Sequence, residues 1–131
     1  MKTINIFFFE FPEMFSKMEF RLDTQKQVND GNPPMNIRLE EGTYNSLCKT
    51  KGSNPAADIK IFLEDVEQPG AITALDDKDR TEPPQAWNVE NKITLTLNST
   101  HKNKILKCVA MVNKETLMKK EMSYKLDVYS G

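Results

Sequence analysis

Residues 47–65 read "LCKTKGSNPAADIKIFLED": a cysteine, a polar turn containing Pro55, and then a run that alternates polar with apolar side chains. Alternate residues of an extended strand point to opposite faces, so Ile59, Ile61 and Leu63 share one face and Phe62 takes the other. Cys48 has one other cysteine in the chain, Cys108. Four roles are open to it: metal ligand, nucleophile, free buried thiol, or half of a bridge to Cys108.

The same period of two recurs on both sides of this stretch. "MNIRLEEG" sets Met35, Ile37 and Leu39 against polar neighbours and stops at Gly42, and "TYNSLCKT" follows as the strand that carries Cys48. "KITLTLNST" turns Ile93, Leu95 and Leu97 inward and Thr94 and Thr96 to water. "KILKCVAMVN" puts Leu106, Cys108 and Ala110 on one face, and "EMSYKLDVYS" does so for Tyr124, Leu126 and Val128. Residues 66–91 are polar and hold Pro69, Gly70, Pro83 and Pro84, which predicts loop with short edge strands. No long helical period interrupts the series. The fold class is therefore all-β, an antiparallel sandwich rather than a parallel α/β sheet.

With 131 residues there is room for one core and a short appendage. A formal net charge of -1, 28% charged and 38% hydrophobic residues describe a globular chain, neither disordered nor a basic nucleic-acid binder. No apolar run approaches the roughly 20 residues that span a bilayer, so no membrane insertion is expected of this segment. "MKTINIFFFEF" carries a lysine and a short apolar run, but Glu10 cuts it off and no small-residue cleavage site follows, unlike a secretory signal. Phe11, Met14, Phe15 and Met18 fall at helical spacing; Pro12 interrupts it, and packed or disordered flank is the simpler reading than a membrane anchor.

Two cysteines and the single His101 are too few for a zinc site, and no other metal or cofactor is implied. A cysteine nucleophile needs an activating base, and His101 lies in the polar turn before the Cys108 strand with no arrangement to serve it. Both cysteines sit mid-strand, 60 residues apart, a separation that suits a bridge between the two sheets of a sandwich. By the chain-entropy estimate such a bridge contributes about 4 kcal/mol.

These features resemble an immunoglobulin domain of the I or C2 type over residues 33–129. The resemblance makes Cys48 the strand B cysteine and Cys108 the strand F cysteine. "CKTKGSNPAADIKIFLED" is similar to the strand B to strand C passage of adhesion modules of the nephrin and irregular-chiasm family, where a Gly-x-Asn-Pro turn leads into strand C. "ITLTLNST" resembles strand E, and "CVAMVNKETLMKKEMSYKLDVY" the F to G finish. The chain departs from that pattern twice. Ile61 stands where a core tryptophan is expected, with Trp87 placed in the loop before strand E, and Leu106 stands where the corner tyrosine is expected. Phe62 or Trp87 could repack into the space. Leu47, next to Cys48, should face away from the core, through a bulge if the register is irregular.

Residues 1–32 read as an N-terminal flank: an incomplete signal, disordered chain, or the tail of a preceding module. "EFRLDTQ" at 19–25 echoes "SYKLDVY" at 123–129, as the closing strand of an earlier module would, and "QVNDGNPP" then reads as a linker. Asn98 in "NST" is an N-glycosylation acceptor just past a strand, and with the cysteine pair it favours an oxidising, extracellular or cell-surface location. Lysines 102, 104, 107, 114, 119, 120 and 125 could face an acidic glycan, though edge lysines more often guard sheets against association. Asp76, Asp77 and Asp79 lack the turn glycine and distal acid of a calcium loop and read as a solvated turn.

The resemblance implies a recognition or adhesion module, one unit of a tandem immunoglobulin array, acting by homophilic or heterophilic protein binding and not by catalysis. Its binding face would include Phe62, Lys107, Val109 and Met111. A secreted single-domain immune or defence factor that captures a soluble ligand is the alternative.

Overall fold

A computed structural model describes residues 11–28, 33–114 and 116–131. The alternation read from the sequence becomes two five-stranded sheets. The first has the order β2-β1-β4-β8-β7, with β1 Lys17–Leu22, β2 Gln25–Val28, β4 Gly42–Ser53, β7 Ala71–Asp76 and β8 Trp87–Leu97. The second has the order β3-β10-β9-β5-β6, with β3 Met35–Glu40, β5 Asp58–Leu63, β6 Val66–Glu67, β9 Ile105–Met111 and β10 Lys119–Tyr129. All pairs are antiparallel except β3 with β10, which run parallel from Tyr124 opposite Met35 to Tyr129 opposite Glu40.

Each sheet turns one set of alternate side chains inward. Ile59, Ile61, Leu63, Ile93, Leu95, Leu97, Leu106, Ala110, Leu126 and Val128 are all buried in one continuous core. Cys48 and Cys108 are bonded across it, Cα to Cα 6.5 Å, and link β4 of one sheet to β9 of the other. The architecture is an immunoglobulin-like β-sandwich with one inter-sheet disulfide.

The structure differs from the sequence reading at the N-terminal end. Residues 17–28, read as flank, form β1 and β2; β1 pairs with β4 over its whole length, Lys17 opposite Lys51 through Leu22 opposite Ser46. Phe15, Met18, Phe20 and Leu22 enter the core with those of the later strands. The sandwich thus begins ahead of residue 33, because these apolar side chains alternate at a strand's period and find the open side of β4. The echo between residues 19–25 and 123–129 has the same cause. Phe20 and Leu22 face Tyr124 and Leu126 across one core, with the Phe20 and Tyr124 rings 5.1 Å apart. Residues 1–10, where a signal was considered, and residues 29–32 of the expected linker lie outside the described residues, while Gln27 and Val28 of that linker belong to β2.

Two other expectations are corrected. Trp87 is the first residue of β8 rather than part of a loop, so that strand is longer than "KITLTLNST" and continues the pairing with β4 to Ser53. Residues 71–76, read as mainly loop, form a full edge strand on β8. Leu47 does face away from the core, as expected, but without a bulge at that point: Ser46, Cys48 and Thr50 alternate regularly, and the register shifts only between Lys51 and Ser53. Gly52 sits at that shift with φ +86, a left-handed backbone that suits glycine, and its N–H donates to Asn88 Oδ1 at 3.1 Å.

Ile61 and Leu106, in place of the expected tryptophan and tyrosine, are both fully buried. The largest fully buried side chains of the core are Tyr124, Phe20 and Met18. Phe62 lies on the outer face, while Trp87 packs partly against the core.

Candidate recognition face

The outer face of the second sheet carries every residue predicted for binding. Register sets Phe62 opposite Lys107, Lys60 opposite Val109 and Asp58 opposite Met111. On the other side of β9, Lys107 meets Ser123, Val109 meets Glu121 and Met111 meets Lys119. All these side chains share one face, because opposed residues of an antiparallel pair point the same way. Phe62, Lys107, Val109 and Met111 are each half-buried, and they form an apolar strip along the sheet with charges on either side.

The cations of this face are mostly answered. Lys107 lies over the Phe62 ring at 5.8 Å and 3.9 Å from Asp65. Lys104 reaches Glu64 at 3.3 Å, Lys119 reaches Glu121 at 3.3 Å, and Lys102 stands 4.0 Å from Asp127. Four of the seven lysines read from sequence as a basic array, Lys102, Lys104, Lys107 and Lys119, are therefore set against carboxylates. Exposed pairs of this kind contribute little to stability, about 0–1 kcal/mol each, and their effect is to set the charge pattern a partner meets.

Asp77 and Asp79, considered for calcium, close instead on Lys51, whose Nζ lies 3.1 Å from Asp77 and 2.6 Å from Asp79. The hydrogen bond from Lys51 and that from the Asp79 N–H, working against partial desolvation, hold the Asp77 carboxyl below the ordinary range. Arg80 continues the tie through Glu13 and the Pro84 carbonyl, binding the 77–84 turn to the start of the described chain. Among the described residues no group of three or more metal-ligating side chains is brought together.

Asn98 is exposed at the start of a single 3-10 turn, Ser99–His101. Its side chain accepts from the Thr100 N–H at 2.9 Å and from the Thr100 hydroxyl, while the Asn98 N–H donates to His101 Nδ1 at 3.0 Å. His101 is thus engaged in capping, and both cysteines are consumed in the bridge, which leaves no thiolate for the Cys/His chemistry weighed from sequence.

Sequence reasoning did not find Glu19. It sits on the outer face of β1, only 6% exposed, with Arg21 at 2.6 Å and Lys49 at 3.8 Å. Burial alone would push its carboxyl up; the Arg21 hydrogen bond and the charges of Lys49 and Lys26 outweigh this and hold it below the ordinary glutamate range. A charged residue between Met18 and Phe20 carries no sequence mark of burial, since the cover comes from neighbouring strands.

The fold that these faces and strands define is that of immunoglobulin-like ectodomains. The chain is similar to the D1–D2 structure of Rst, with a TM-score of 0.59 at 15% identity, covering 85% of this chain and 48% of that one. It is also similar to the full ectodomain, Ig1–Ig3, of mouse nectin-like molecule 4, with a TM-score of 0.58 at 18% identity, covering 89% of this chain and 34% of that one. The chain thus spans under half the length of the first and about a third of the second. Identity at this level shows the shared fold. No protein-family model and no curated protein matches the sequence.

Proposed function

We propose that this domain is an extracellular recognition module that binds a cell-surface protein through the outer face of β5, β9 and β10. The observation that carries the reading is the strip of Phe62, Val109 and Met111, half-exposed and bordered by charges that include the Lys107–Asp65 and Lys119–Glu121 pairs. A protein interface needs this composition: an apolar centre that loses water on contact and a polar rim that fixes register. The disulfide adds support, because such bonds persist in oxidising compartments. The Gly52–Pro55 turn, with its resemblance to nephrin and irregular-chiasm modules, favours adhesion between cells as the setting. The similar structures hold two and three domains, D1–D2 and Ig1–Ig3, which favours a unit of a tandem array over a lone secreted domain.

The test uses the oxidised domain produced by secretion and coupled to fluorescent beads, mixed with one another and with cultured cells. Bead clustering or cell binding that is lost in Phe62→Asp and Met111→Asp, with thermal unfolding unchanged, supports the reading. Absence of both kinds of binding in the native domain, or binding that survives both substitutions, overturns it.

A further inference from the structure

The ends of the two sheets are treated unequally. β2 is a four-residue strand containing Lys26, β6 is two residues long, and β3 carries Arg38 and Glu40. Short length and charge are the ordinary means of keeping a strand edge from pairing with another chain. β7 has neither. It runs six residues, "AITALD", has no charge before Asp76, and every one of its residues is exposed, Ile72 at 59% and Leu75 at 63%. It ends its sheet, with β8 on one side and no strand on the other among the described residues.

Which backbone groups point outward follows from the register. Asp77 N–H donates to Ala86 O at 2.8 Å, and the β7 to β8 register continues that pairing through Leu75 opposite Asn88 and Thr73 opposite Glu90. Hydrogen-bonded pairs alternate in an antiparallel ladder, so Ala71, Thr73 and Leu75 turn their backbone groups to β8. Ile72, Ala74 and Asp76 turn theirs to the open edge.

We propose that this edge docks a second copy of the same chain, β7 against β7, antiparallel about a two-fold axis through Thr73. A two-fold perpendicular to the sheet keeps inward faces inward, so only residues on the same face oppose one another. Centred on Thr73, Ile72 of each copy lies opposite Ala74 of the other, and these are the residues whose N–H and C=O groups are free to exchange hydrogen bonds. Ala71 lies opposite Leu75, Thr73 opposite itself, and Asp76 opposite Gly70. Apolar meets apolar at the pairs that flank the axis, Thr73 meets its own hydroxyl-bearing copy at the centre, and the one charge of each strand meets a residue with no side chain. A strand that serves as its own complement in this way favours a copy of itself over a foreign strand. The edge belongs to the first sheet and the recognition face to the second, so the two proposals stand or fall separately.

The experiment is sedimentation velocity of the oxidised, full chain across a concentration series, with Ala74→Pro and Ile72→Lys as variants. Ala74 turns its N–H away from β8, so proline there removes an edge donor and leaves the internal ladder intact; Ile72→Lys supplies a guarding charge should the proline variant fail to fold. A concentration-dependent dimer in the native chain that both folded variants lose, and that Phe62→Asp keeps, supports the proposal. Thr73→Cys supplies the register: directly opposed residues of a non-hydrogen-bonded pair lie about 4.5 Å apart at Cα, within disulfide reach, so oxidation should crosslink Thr73→Cys and not Leu75→Cys. A monomer at every concentration overturns the proposal. So does a dimer indifferent to the edge variants, or equal crosslinking at both cysteine positions.

Discussion

Tyr124 of β10 reaches across the core and donates its hydroxyl to the Phe20 carbonyl of β1 at 2.8 Å, joining the two sheets through residues 104 positions apart. The same hydroxyl lies 3.2 Å from the Gln25 carbonyl, at the start of β2. Burial pushes the hydroxyl up to about 12, so it remains a donor at any pH the domain would meet. Where the expected corner tyrosine is replaced by Leu106, this contact supplies a different buried tie from a tyrosine to backbone.

Tyr124→Phe deletes that donor and keeps the ring against Phe20. Leaving buried carbonyls short of a partner costs about 1–3 kcal/mol, so the guanidinium midpoint should fall by the corresponding amount with the slope unchanged. An unaltered midpoint would mean that the contact contributes nothing net.

A fragment that starts at residue 33 loses β1 and β2. Met18, Phe20 and Leu22 are each fully buried, and full burial of such a side chain is worth roughly 1.5–3 kcal/mol. Their sum is comparable with a typical net stability of about 5–15 kcal/mol, before the uncovered edge of β4 is counted. The fragment should show no cooperative thermal transition by circular dichroism, whereas the full chain should show one.

Replacing both cysteines, Cys48→Ala with Cys108→Ala, should lower stability by about 4 kcal/mol, given the 60-residue loop that the bond closes. In the native chain, alkylation followed by intact-mass measurement should add nothing until the protein is reduced. Two alkyl groups on folded, unreduced protein would contradict the bond.

Glu19 makes stability depend on acid. Its folded carboxyl is held below the ordinary range, so the stabilisation it gives is complete above about pH 4.3, the unfolded value, and fades as pH falls through the lower folded value. Glu19→Gln should be less stable than the native chain at neutral pH, and the gap should narrow on titration below about pH 4. Denaturant midpoints at a series of pH values measure this, and a constant gap would remove Glu19 from the acid response.

The Asn98 triplet should carry a glycan when the chain is made in a secretory host, seen as added mass removable by an endoglycosidase. Thr100→Ala should abolish it while leaving Asn98 to cap the turn. Since the hydroxyl of Thr100 also meets Asn98, a small loss of stability, about 1 kcal/mol or less, is expected with it.

The central strands were legible because burial on one face imposes a period of two: Ile59 with Ile61 and Leu63, Ile93 with Leu95 and Leu97. The bridge was legible because both cysteines share those inward faces. β1 alternates in "KMEFRL", but nothing local says whether such a strand joins this core or closes an earlier module, and the helical spacing of Phe11, Met14, Phe15 and Met18 runs into it. β7 was legible only as a short edge strand without bounds, for an edge strand exposed on both faces has no pattern to impose. Of the recognition face, parity gave the side on which Phe62 and Val109 lie; the neutralisation of its lysines depends on turns, such as that of Glu64 and Asp65, whose approach no local pattern encodes.

The parallel pairing of β3 with β10 bears on how the chain is made. β3 has no other strand partner among the described residues, and the two meet only across some eighty intervening positions. Gln27 likewise finds its acceptor, the Ser123 carbonyl, 96 residues later. A polypeptide emerging from the ribosome therefore carries β3 unpaired, and a core without Met122, Tyr124, Leu126 and Val128, until residues 119–129 have left the exit tunnel. Closure of the sandwich waits on its last strand, and the nascent domain must be shielded from its neighbours until then.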